Sequence, residues 1–209
     1  MPGKRSPRTR RKRASRYHHG DLRRALVEEA LRTIQADGVA GVTLRGVGRT
    51  LGVSRTALYR HFADKAALLS EVAREGFRTL RLETIEAWER GGRGWAGFEA
   101  MGVAYVRFAV ANPSHYRVMF GGFVVGSPNA DVAREGSGAF QALVDAIAWL
   151  QQEGLMRPDD PQLLARFVWA LVHGVAMLII DGLLGAQADW ETFARVAITN
   201  VRTGVATTA

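Results

Sequence analysis

Between Thr43 and Lys65 the chain gathers side chains that suit recognition of a negatively charged, base-bearing partner. Ser54 stands where it can cap a short helix, and Arg55, Thr56, Tyr59 and Arg60 follow it. At helical spacing these four fall within an arc of about 140°, turned away from the core side that carries Leu58 and Phe62. Arg55 can donate twice to a guanine edge, and Thr56 can touch a base or a thymine methyl. The Tyr59 phenol suits a phosphate, while Lys65 and the amides beginning the next helix offer a second phosphate clamp. The same residues would equally make a capped helical hairpin with a solvated polar face.

A second group lies far along the chain. His173 sits in its most apolar stretch, one turn after Trp169 and one before Met177. Tyr105 and Tyr116 could each aim a hydroxyl inward, and Phe108, Phe120 and Phe140 supply further rings. An apolar wall with a few polar groups is what a small-molecule pocket needs. Aromatic residues and methionines at helical spacing also build ordinary cores, so packing is the competing expectation for each of them.

Catalytic constellations are missing. His18, His19, His61, His115 and His173 are scattered, with no His-Glu-x-x-His pair, phosphate-binding glycine loop or nucleophile elbow. Zero cysteines remove disulfides, cysteine-ligated zinc and thiol catalysis. Neither an enzyme, a cofactor nor a metal site is expected.

The elements that must position these groups are helical nearly throughout. Leu22, Leu26, Ala30 and Ile34 recur every four residues before Gly38, which is placed to end the first helix. A second helix starts at Thr43, Gly52 breaks it, and a third runs from Ser54 to near Phe62. Asp64 opens a long fourth helix reaching about Arg90. Further helices are expected over 94–112, 113–120, 131–152, 161–182 and 189–201, with a loop over 121–130. No strand pattern or internal repeat is found, so the fold class is all-α. The near-apolar run Phe167–Ile180 is too short to cross a bilayer, and no membrane association is expected.

Of 209 residues, 47% are hydrophobic and 23% charged, which excludes wholesale disorder. The net charge of +8 is concentrated: residues 1–16 hold eight Lys or Arg and no acid. Residues 1–17 therefore form a basic arm expected to be disordered, and a polyanion is the favoured partner. Such an arm could enter a minor groove or only raise nonspecific affinity through counterion release.

Tyr17-His18-His19-Gly20-Asp21-Leu22, Val42-Thr43-Leu44-Arg45 and Gly52-Val53-Ser54-Arg55-Thr56-Ala57-Leu58-Tyr59-Arg60-His61-Phe62-Ala63-Asp64-Lys65 together resemble the tetracycline-repressor (TetR) family of bacterial regulators. The resemblance covers roughly residues 17–76. It implies that Thr43, Tyr59, His61 and Lys65 hold the phosphate backbone, and that Arg45, Ser54, Arg55 and Thr56 lie at or near the groove. Gly46 and Gly48 depart from the family's more usual acidic residue and alanine. Close approach to the third helix accounts for Gly48, whereas Gly46 has no account from the sequence. The run Leu164–Leu183, with Trp169 and His173-Gly174, resembles a C-terminal subclass marked by a Trp…His-Gly signature, which implies a ligand-sensing domain.

The expected organisation is an arm (1–17), a helix-turn-helix DNA-binding domain (18–65) and a helical sensor and dimerisation domain (66–205). Candidate ligand contacts are Tyr105, Phe108, Tyr116, Phe120, Phe140, Trp169, His173 and Met177. The all-round apolar helix from Pro161 and a stripe of Trp190, Phe193, Ala197 and Ile198 are expected to pair two copies. A cytoplasmic homodimer on a palindromic double-stranded DNA operator, released by a small apolar or aromatic effector, is the functional expectation. A constitutive DNA-binding dimer without an effector is the alternative, distinguished by having no cavity.

Overall fold

The computed structural model describes residues 19–123, 129–185 and 189–205. The basic arm, His18 and residues 124–128 of the loop expected over 121–130 lie outside the described residues. The described chain is all-α, with helices α1 (His19–Gly41), α2 (Leu44–Thr50), α3 (Arg55–His61), α4 (Lys65–Arg90) and α5 (Gly94–Ala111). These are followed by α6 (Pro113–Phe120), α7 (Ala130–Gln152), α8 (Pro161–Ile180) and α9 (Trp190–Val205).

Local chemistry sets most of the helix ends. Gly38 leaves helical geometry at φ 72°, a value that costs an L side chain energy and glycine none, so α1 breaks there before a last turn. Asp64 caps α4 by accepting from the Ala67 amide, and Asp160 caps α8 by accepting from Gln162 while Pro161 takes the first turn.

One continuous core runs from Leu26, Val27 and Ile34 of α1 through Leu58 and Phe62, then Leu68, Leu69 and Val72 of α4, to Val106, Phe108 and Tyr116. It does not pause at residue 65. A second cluster gathers Trp88, Phe98, Ile147, Leu150 and Val168 at the far end of the bundle. The long α4 belongs to both, packing on α1 near its start and on α5, α6 and α7 along its length. Its last turns carry Trp88 edge-on to Trp149 of α7, ring centroids 5.6 Å apart.

Two expectations from the sequence change here. The apolar run judged too short for a bilayer is part of α8, whose 20 residues include an 18-residue stretch of mean hydropathy 2.1 and so meet the length and composition of a spanning helix. The proposed pairing stripe of α9 is also divided. Ile198 is buried and Trp190 and Ala197 pack against the chain's own core, whereas Phe193 and its neighbour Val196 are exposed. An apolar period marks a buried face without saying whose core buries it.

Candidate functional site

The turn between α2 and α3 is built by three local devices. Thr43 Oγ1 accepts from the Gly46 amide (3.0 Å) and starts α2. Gly52 takes φ 65°, which lets the chain reverse within a few residues. Ser54 Oγ accepts from the Ala57 amide (3.3 Å) and starts α3. In both caps the oxygen accepts, leaving the hydroxyl hydrogen to donate outward.

Leu58 and Phe62 anchor α3 inward, each 2% exposed, and burying such side chains contributes about 1.5–3 kcal/mol apiece. The opposite face is bare: Ser54, Arg55, Thr56, Tyr59 and Arg60 are exposed, as are Thr43 and Arg45 of the preceding segment. The Arg55 guanidinium lies over the Tyr59 ring, 5.7 Å from its centroid. His61 is half-buried at the end of α3.

Charge pairing separates this face from the rest of the unit. On α1, Arg23 pairs with Glu71, Arg24 with Glu28, and Arg32 with Glu28 and Glu29. Arg45, Arg49, Arg55 and Arg60 of α2 and α3 form no ion pair among the described residues. Four uncompensated guanidinium groups around one short helix make a surface that attracts phosphate. Arg49 and Arg60 were not among the expected DNA contacts; Arg49 has no acidic residue three or four positions away, and Asp64, four beyond Arg60, caps α4 instead.

Lys65 has a different setting. Its ammonium donates to the carbonyls of Val39 (2.8 Å) and Ala40 (3.2 Å), closing the end of α1 and leaving one hydrogen for another acceptor. Behind α3, Arg23 donates to the His61 carbonyl (3.2 Å), lies 4.6 Å from the Phe62 ring centroid and pairs with Glu71 of α4 at 3.0 Å. The bidentate Arg74 bond, with Arg23 adding to it, holds the Glu71 carboxyl down at about 2 against the desolvation that would raise it. Both glycines of α2 acquire contacts. A Cβ on Gly48 would sit 3.0 Å from Leu58 Cδ2, and one on Gly46 would sit 2.8 Å from the capping Thr43 Oγ1.

About 35 residues beyond Thr43, α4 begins to line a cavity of about 260 Å³ with Phe77, Leu80 and Thr84. Phe98, Met101, Gly102 and Tyr105 of α5, Phe120 of α6, and Gly136, Ala139, Phe140 and Leu143 of α7 add to its wall. Val168, Trp169 and Val172 of α8 and Ile198 of α9 complete it. A Cβ on Gly102 would stand 2.8 Å from Ile198 Cδ1, so glycine admits α9 to the wall.

Tyr105, Phe120, Phe140 and Trp169 of the expected ligand contacts are on the wall; Phe108, Tyr116, His173 and Met177 are not. Phe108 is plain core and Met177 packs partly buried against it. The three polar candidates nevertheless meet one another. Tyr116 Oη lies 2.6 Å from His173 Nδ1, Tyr105 Oη lies 3.0 Å from Tyr116 Oη and 3.2 Å from His173 Nδ1, and Trp169 Nε1 donates to Tyr105 Oη at 3.1 Å. Burial pushes the Tyr105 hydroxyl up to about 12, raises Tyr116 further and lowers His173, so all three are neutral near pH 7. The wall residues contributed by α4, and Gly136, Ala139 and Leu143 of α7, escaped the sequence reading. The signal was there: Phe77, Leu80 and Thr84 recur at helical spacing, and Gly136 and Ala139 leave room on α7.

A third surface lies on α8 and α9. Leu163, Phe167 and Leu178 of α8 and Phe193 and Val196 of α9 are exposed, Leu163 at 60% and Phe167 at 54%. An exposed apolar surface on paired helices marks an association site.

Comparison with known proteins places these features in context. Residues 26–72 match the family model for bacterial regulatory proteins, tetR family, and residues 98–201 match that for a tetracyclin repressor-like C-terminal domain. The second match does not single out the Trp…His-Gly subclass. The HTH-type transcriptional regulator BetI of Agrobacterium fabrum is 40% identical over 65 residues, 31% of this chain. That stretch spans 32% of the relative's own length. A Rhodococcus sp. RHA1 protein of unknown function superposes with a TM-score of 0.83 at 32% identity, covering 92% of this chain and all of the other. A TetR family transcription regulator from Marinobacter aquaeolei VT8 superposes at 0.70 with 20% identity, covering 89% of this chain and 96% of the other.

Proposed function

The chain belongs to the TetR family of DNA-binding bacterial transcriptional regulators, and on that premise we propose that it is a ligand-responsive repressor. Two copies pair and grip a palindromic operator, and a small apolar or aromatic molecule entering the cavity releases them. The observation that carries this is the double membership of α4. Its first turns pack on α1 behind the recognition helix, and its middle turns supply Phe77, Leu80 and Thr84 to the cavity wall.

On the DNA side, α3 enters the major groove with Arg55 and Thr56 at base edges. Tyr59, His61, Thr43 and the remaining donor of Lys65 take phosphates, with Arg45 and Ser54 at or near the groove. Family members act as dimers. We assign the pairing to the exposed α8 and α9 face, which a second copy covers more economically than lipid would, since α9 presents Thr192, Thr199 and Asn200 beside its apolar residues. Two-fold pairing sets the recognition helices about 34 Å apart, one turn of B-DNA, or further for a longer operator. Such a regulator works at the chromosome, in the cytoplasm. Residues 18–65 form the reading head and 66–205 the sensor, sharing one continuous core.

Ligand entry acts through α4 and α6. A Cβ on Gly76 would lie 2.4 Å from Met119 Sδ, so the Met119 side chain of α6 packs directly on the α4 backbone. Phe120 of α6 meets Phe77 of α4 edge-on at 5.4 Å across the cavity wall. A molecule wedged there separates the two rings and tilts α4, and the paired α3 helices no longer match successive grooves. The change in DNA affinity is bounded by the ligand's preference between the two states, typically about 1–3 kcal/mol.

A cavity of this kind favours an effector-controlled regulator over a constitutive one. The test is direct. A binding site is selected from random duplexes, small molecules that raise the melting temperature are found, and each is added to the protein–DNA complex. Loss of anisotropy on a labelled operator supports release; stabilising molecules that leave the complex intact oppose it.

A further inference from the structure

We propose that the cavity takes an uncharged, hydrogen-bond-poor aromatic hydrocarbon of about two fused rings; the ligand's regulatory consequence, though not its fit, rests on the release reading above. Three observations carry the assignment.

None of the lining residues is Asp, Glu, Lys, Arg or His. An ionised ligand would enter without a counter-charge, which no hydrogen bond on this wall offsets.

The hydrogen-bond donors that reach the wall are already spent. A phenol can take part in three hydrogen bonds, and Tyr105 Oη has three neighbours at bonding distance: Tyr116 Oη, His173 Nδ1 and Trp169 Nε1. The single indole hydrogen of Trp169 is spent in that contact. Thr84 Oγ1 donates to the Leu80 carbonyl at 2.9 Å. A ligand carbonyl would have to displace an existing partner or go without a donor, and the one opening for a ligand hydroxyl is to donate to the remaining lone pairs of Thr84 Oγ1.

Size and shape then narrow the class. An apolar cavity of about 150 Å³ holds benzene, and this one measures about 260 Å³. Phe77, Phe98, Tyr105, Phe120, Phe140 and Trp169 surround it with rings. Their edges and faces suit a flat aromatic guest in offset or edge-to-face contact.

The test uses the full-length protein and three probes of one skeleton: naphthalene, 2-naphthol and 2-naphthoate. Binding is followed by tryptophan fluorescence and calorimetry, and operator affinity is measured separately with each probe. Naphthalene should bind, and 2-naphthol should gain no more than about threefold over it. The carboxylate should bind at least about 100-fold more weakly. Ala139→Leu, which fills part of the space, should weaken naphthalene at least about tenfold. 2-Naphthoate binding as tightly as naphthalene, or no binding of naphthalene at all, would overturn the assignment. Naphthalene that binds as expected and leaves operator affinity untouched would contradict the release reading and leave the ligand class standing.

Discussion

Arg23 of α1 and Glu71 of α4 pair at 3.0 Å, and the same guanidinium holds the carbonyl of His61, the last residue of the recognition helix. One side chain thereby ties the reading head to the helix that reaches the cavity. Arg23 is a positioning residue: it stands behind α3, and its effect on DNA passes through His61 and Phe62.

Replacing it should separate positioning from folding. In Arg23→Met the guanidinium over Phe62 gives way to an unbranched apolar side chain, and Arg74 still satisfies Glu71. Unfolding in urea should show a loss of about 1–2 kcal/mol, less than for an abandoned buried charge because the second arginine remains. Operator affinity should fall about tenfold, with the salt dependence of binding unchanged because no phosphate contact is removed. A reduced salt slope would place Arg23 on the phosphates instead.

Acid should destabilise the fold in two stages. His115 and His173 both have pKa values lowered by burial, so the unfolded chain takes up protons first and stability declines as pH falls below 6.5. Glu71 is held at about 2 against an ordinary 4.5, so its contribution is complete above pH 4.5 and is lost as pH falls towards 2. Glu75, raised by burial, works in the opposite direction and shallows this second stage. Melting temperatures from pH 8 to pH 3 check this, and Glu71→Gln should remove roughly 2 kcal/mol of the change below pH 4.5 while sparing the first stage.

What the sequence made legible was local. Thr43, Ser54, Asp64 and Asp160 cap helices through their own next turn, and Gly38 and Gly52 adopt the positive φ their positions suggested. Those features need only a few neighbouring residues to be recognised. The cavity was half legible, because its meaning depends on partners distant in the chain. Gly136 is an unremarked helical glycine until Phe77 lies across from it, with 3.6 Å between that ring and an added Cβ. Tyr116 and His173, expected to touch a ligand, lie off the cavity wall and hydrogen-bond Tyr105. Lys65 carried a charge that suits phosphate, and only the folded backbone brings the end of α1 within its reach. Apolar spacing on α9 marked two faces at once, one buried in its own core and one exposed.

Dimerisation is open to a surface substitution. Phe167 is 54% exposed on α8, so Phe167→Glu leaves the monomer's core intact. Sedimentation should show a change from dimer to monomer with helical content retained, and operator affinity should fall at least about 100-fold as the two heads lose their fixed spacing. A variant that stays dimeric would move the interface elsewhere.

Presented twice by a symmetric pair, α3 is expected to read a palindromic duplex. Anisotropy titration of the ligand-free protein and of Arg55→Ala, on the selected operator and on a scrambled duplex at about 0.15 M salt, tests it. The wild type should prefer the operator by about 1,000-fold or more, and Arg55→Ala should lose about 10- to 100-fold of that on the operator alone. Equal affinity of the wild type for both duplexes, or an Arg55→Ala variant that binds the operator unchanged, would contradict it.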